Sequence, residues 1–184
     1  MALSDSTRRK VPRLSFLGTP VHPPLTYVPA TFLMTGPAFD AAGRVSGDER
    51  LGLAGFWQGV VAVAAAGPTA VTGLLDWLRL PAGADGKTLG LIHAGLNTAA
   101  LGAAVAGLLR RLDKPSDPDA AALGLGALAG GVVGVSAHLG GELAYKHGIR
   151  AERSRPLRDP AEGDSSADDD PGLPADAPLP APVA

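Results

Sequence analysis

From Leu53 to Leu75 the chain runs 23 residues without a charged side chain. Two further blocks, Thr88 to Leu109 and Ala120 to Gly141, are 22 residues each, and their only ionisable groups are His93 and His138. A helix needs about 20 mostly apolar residues to cross a hydrocarbon core roughly 30 Å thick. A helix on the surface of a soluble bundle keeps a charged face opposite its apolar stripe, and these blocks have none. A fourth block, Leu25 to Phe39, is uncharged and continues through Asp40 to Ala42. It carries Pro29 and Pro37, which membrane helices tolerate when neighbours resatisfy the backbone. The pattern predicts an all-α, integral membrane four-helix bundle, with helices at about 25–42, 53–75, 88–109 and 120–141 within a domain spanning 22–150.

Both flanks read as disordered tails. Residues 1–21 form a cationic N-terminal segment with Arg8, Arg9, Lys10 and Arg13. A cleaved signal peptide would also begin with such cations. Here the apolar run starts only after Pro20, Pro23 and Pro24 and no A-x-A site follows directly, so the first helix is expected to be retained. Residues 151–184 are rich in Pro, Ala, Asp and Ser, with the acidic run Asp168 to Asp170, and show no apolar periodicity. That segment is expected to be a solvated tail, with partner docking as the alternative.

The chain has 184 residues and no cysteine, which excludes disulfides, thiolate zinc sites, cysteine nucleophiles and an iron–sulfur cluster held by this chain. The net charge of −2 argues against bulk nucleic-acid binding. No hydrolase triad, phosphate loop or dinucleotide fingerprint is present, so no independent catalytic activity is expected. The glycines between 124 and 134 lie inside a helix and follow no strand.

Lys and Arg in short loops mark the cytoplasmic side. Eleven cations fall in the N-terminal segment, the 79–87 loop and the C-terminal segment, against five in the other two loops. This predicts an inner (plasma) membrane protein with both termini cytoplasmic. The oligomeric state is not legible, and the lipid bilayer is the partner the composition requires.

Polar residues share faces with small ones. Gln58, Ala62, Ala65, Thr69, Thr72 and Asp76 recur at alternating spacings of four and three, the seam of a shallowly crossing helix. Gly90, His93, Asn97, Ala100, Ala104 and Gly107 share a face of the third helix. Ala122, Gly126, Gly130, Gly134, His138 and Glu142 recur every four residues, with Tyr145 three residues on, and small residues at that spacing permit close helix approach. Polar groups facing lipid are costly, so these faces are expected to point at protein. His22, Asp76, His93, His138, Glu142, Tyr145 and His147 then gather at one end, and Asp40 stands alone at the other.

His22 with Pro23 before the first helix, Asp76 ending the second, His93-x-x-x-Asn97 in the third and Gly140 to Gly148 (GGELAYKHG) closing the fourth resemble the bacterial membrane family called domain of unknown function 2231. The resemblance covers roughly residues 21–150 and implies a four-helix membrane domain. Some relatives of this type are fused to Rieske-type iron–sulfur domains, which implies a redox partner protein. His147, Gly148, Ile149 and Arg150 depart from the Gly-Val pair with which members often continue.

Four readings of the histidines stand side by side. They can bond helices together and do nothing else. His93 and His138, with His22 nearby, can be axial ligands of haem b. His22, Asp76, His93, His138 and Glu142 can hold a transition metal, with Asn97, Tyr145 and His147 around them. The same groups can relay protons or pass a small solute. The two ligand readings require the rings of His93 and His138 to face one another.

Overall fold

The computed structural model describes residues 4–12, 14–16, 19–81 and 84–145, all within one compact unit that ends at Glu152. His147 and the segment 151–184 lie outside the described residues.

The N-terminal segment differs from the expected unstructured tail. Ser4 caps a short helix, α1 (Asp5–Lys10), by accepting the Thr7 N–H at 3.3 Å. A two-stranded antiparallel hairpin follows, β1 (Ser15–Phe16) and β2 (Thr19–Pro20), with Phe16 opposite Thr19.

Four long helices follow among the described residues: α2 (His22–Ser46), α3 (Glu49–Leu78), α4 (Asp85–Leu109) and α5 (Ala120–Tyr145). Each extends beyond its apolar block because the local chemistry carries it on. Gly47 closes α2 in the left-handed region at φ 74°, its N–H on the Gly43 carbonyl at 2.9 Å. Asp48 then caps α3 by accepting the Arg50 N–H at 2.9 Å. Asp119 does the same for α5 through the Ala122 N–H at 2.7 Å.

With 25 to 30 residues each, the helices are roughly 37 to 45 Å long at about 1.5 Å per residue. By length and composition, α3, α4 and α5 are able to cross a membrane. α2 is as long as α4 but more polar, with Thr26, Thr31, Thr35, Asp40 and Arg44. α2 packs against α3 and α5, and α4 packs against the same two. Leu33, Ala62, Ala100, Ala104, Ala129 and Val133 form the central core.

The α2–α3 crossing rests on glycine. A Cβ on Gly43 would lie 2.8 Å from the Gly52 nitrogen, and one on Gly36 would lie 3.4 Å from the Gly55 carbonyl. These four positions let two backbones touch. The α3 seam packs as its spacing predicts: Ala62 and Thr72 are buried, Gln58 accepts a hydrogen bond from Thr35, and Thr69 donates to the Leu25 carbonyl at 3.3 Å.

The ridge on α5 requires a correction. Gly126 meets Pro37, Gly130 meets the Leu33 carbonyl and Gly134 meets Met34, but His138 is exposed. Steps of four residues turn about 40° round a helix, so four steps from Ala122 carry His138 about 160° away. The inward seam of α5 is instead Ala122, Gly126, Ala129, Val133, Ser136 and Gly140, all buried or half-buried.

Candidate functional site

The end of the molecule where α2 and α4 begin and α3 and α5 finish holds two histidines in matching docks. His22, the first residue of α2, places Nδ1 at 2.9 Å from the Thr69 carbonyl and 3.1 Å from the Thr72 hydroxyl of α3. Its ring lies over Gly73, where a Cβ would approach Cε1 to 2.6 Å. His93 of α4 places Nδ1 at 2.9 Å from both the carbonyl and the hydroxyl of Ser136 on α5. Its ring lies against Gly140, where a Cβ would lie 3.1 Å from Cε1. In each pair the accepting carbonyl stands four residues before the glycine that makes room for the ring.

The carbonyls set the tautomers. A carbonyl only accepts, so Nδ1 carries the proton in both rings and donates it. In the neutral ring Nε2 is then an acceptor. At His93 it accepts a hydrogen bond from Asn97, whose Nδ2 lies 3.1 Å from Nε2 and also donates to the His93 carbonyl at 2.9 Å. Asn97 thus donates to both of its neighbours at His93, each of which is an acceptor.

The joint site expected from the four helices does not assemble. His138 lies two residues from Ser136, about 200° round α5, and points away from His93. The facing pair that a haem or a two-histidine metal site needs is absent. Asp76 and Glu142 are half-buried at the same end, and neither is without a partner. Tyr145 ends α5, and its side chain, like His147, lies outside the described residues. Among the described residues no group of three or more His, Asp or Glu is placed to hold a metal ion.

The opposite end holds a buried ion pair. Arg111, just beyond the C-terminus of α4, donates through Nη1 to Asp40 Oδ2 at 2.7 Å and through Nη2 to the Gly52 carbonyl at 2.7 Å. Its Nε donates to the Pro115 carbonyl at 3.0 Å, and its guanidinium lies 5.5 Å from the centre of the Phe56 ring. Both charged side chains are at least nine-tenths buried. Asp40 Oδ1 has no hydrogen-bond partner and lies over the bare Cα of Gly55. A cavity of about 40 Å³ adjoins it, lined by residues of all four long helices, with room for a few waters.

Sequence reasoning counted Arg111 only as a loop cation. The usable signal was Asp40 itself, since a carboxylate inside an apolar helix needs a counter-ion. Outside the long helices, Asp119 is held below its ordinary range by the Arg110 guanidinium, 2.6 Å away, and by the Ala122 N–H.

No curated protein and no solved structure matches the chain. The family model described as a predicted membrane protein, DUF2231, matches residues 18–153, which takes in all four long helices and both histidine docks. The chain therefore belongs to the DUF2231 family of membrane proteins.

Proposed function

We propose that this chain is a four-crossing, non-catalytic membrane scaffold of the inner membrane, with both termini cytoplasmic, in which His22 and His93 bind helices to one another and hold no cofactor. The observation that carries this reading is the pair of Nδ1–H bonds to backbone carbonyls of neighbouring helices. A ring that spends its Nδ1 proton on α5 and its Nε2 lone pair on Asn97 has used both its polar atoms inside the protein.

Counting α2 as a crossing helix is supported by its polar side chains. Asp40 is directed at Arg111 and Thr35 at Gln58, so these polar groups face protein and are not offered to lipid. The orientation rests on the excess of cations at the histidine end.

The test is to purify the full chain from membranes in mild detergent. Visible absorption and metal content are measured on the wild type and on His93→Asn and His93→Ala. The scaffold reading expects no haem band and no stoichiometric metal, with His93→Asn retaining most of the thermal stability that His93→Ala loses. An Asn amide can replace the Nδ1 donor; it cannot replace a haem ligand. A haem band or one equivalent of metal that disappears in both variants would overturn it.

A further inference from the structure

We propose that Arg9, Lys10, Leu14 and Phe16 form a docking site for anionic phospholipid headgroups of the bilayer in which the helices stand. Its position is fixed at both ends. The Val11 carbonyl accepts a hydrogen bond from Arg79, the C-cap of α3. The Val21 N–H donates to the Leu14 carbonyl at 3.1 Å, and the next residue, His22, begins α2. Val11 and Leu14 therefore lie at the level where α2 and α3 leave the apolar region.

A second group marks that level. The Trp77 indole donates to the Lys87 carbonyl at 3.0 Å while the Lys87 ammonium lies 4.5 Å from the ring centre. An amphipathic ring beside a cation at a helix end is what a membrane–water interface selects.

The chemistry of the segment fits the same boundary. Arg9 and Lys10 are exposed, and so are Leu14 and Phe16, with Phe16 at 72%. Cations pair with phosphate while apolar side chains enter the headgroup–acyl boundary a few ångströms deeper. A soluble acidic partner would match the cations but give no apolar layer for Phe16. The nearby cations Arg79 and Lys87 reinforce the field. The opposing carboxylate described at this end of α3 is Asp76, which is half-buried.

The chain has no cysteine, so a single Ser15→Cys in the full-length protein can carry an environment-sensitive fluorophore. The labelled protein is placed in nanodiscs of phosphatidylcholine alone, or of phosphatidylcholine with phosphatidylglycerol. Docking predicts a blue-shifted emission protected from acrylamide in the anionic discs only. The protection should fade at about 1 M salt, where the screening length falls to roughly 3 Å. It should also drop with Arg9→Gln/Lys10→Gln, since two cations at an anionic surface are worth roughly a thirty-fold shift in occupancy. Equal exposure in both discs would overturn the proposal. Equal protection in both would overturn it too, since the anionic headgroup would then add nothing.

Discussion

The two ends of the helix array are held by different chemistry. At the histidine end, imidazole rings donate to carbonyls, and each dock joins two neighbouring helices. At the other end, one buried ion pair joins α2, α3 and the segment between α4 and α5 at a single guanidinium. A neutral donor to a carbonyl costs little desolvation and returns little energy. A buried ion pair is costly to assemble and far costlier to break on one side only. The histidine end should therefore tolerate change gradually, and the Asp40–Arg111 end should fail abruptly.

The largest expected effect follows. Arg111→Met leaves Asp40 buried and unpaired and should cost about 3–5 kcal/mol. Adding Asp40→Leu should return much of that loss, because no orphan charge is left. Thermal unfolding in detergent reads both, and equal losses in the single and double variants would remove the ion pair from the comparison.

Backbone contact at the same end comes next. A Cβ on Gly52 would overlap the Ser116 carbonyl, and one on Gly55 would overlap the Asp40 carboxylate. Gly52→Ala should cost about 1–3 kcal/mol by forcing apart groups that Arg111 holds together. Gly131→Ala, which meets nothing within 4 Å, is the control and should be near neutral.

At the histidine end the losses should be smaller. His93→Ala should cost roughly 1–2 kcal/mol, near the upper range for a polar contact between membrane helices, and His22→Ala a similar amount. His138→Ala should change stability little, since its exposed ring has no hydrogen bond in the structure. If His138→Ala proved as damaging as His93→Ala, the division between docked and outward histidines would be wrong.

The smallest effect is a pH dependence at the exposed Arg110–Asp119 contact. Asp119 lies below its ordinary value of 3.8, chiefly through Arg110. Such a carboxylate adds stability above the unfolded value and loses it as pH falls through the folded one. Wild type should therefore lose slightly more stability than Asp119→Asn on acidification below about pH 4. Parallel melting-temperature curves for the two proteins would show that the contact adds nothing.

Much of this was legible in the sequence. The uncharged blocks foretold α3, α4 and α5, and the four-and-three spacing of Gln58 to Asp76 foretold the face of α3 that meets α2. Asn97 and His93 were rightly placed on a packing face, but not their bond directions, which depend on the Ser136 carbonyl lying opposite. His138 was misplaced because a four-residue ridge winds round its helix and leaves the interface after three turns. Asp40 signals a counter-ion, but its identity as Arg111 was not legible because that residue stands 71 residues away and beyond the end of a helix. Hydrophobic periodicity says nothing about such a residue.

The central claim is that His22 and His93 are neutral donors to backbone carbonyls. The most direct test is ¹⁵N NMR of histidine-labelled protein in lipid, comparing wild type with His22→Asn and His93→Asn to assign the rings. The account predicts that both rings carry their proton on Nδ1, with Nε2 unprotonated, and that addition of haem or a divalent transition metal leaves these resonances unmoved. Protons on Nε2, or resonances that shift on binding a metal or haem, would contradict it.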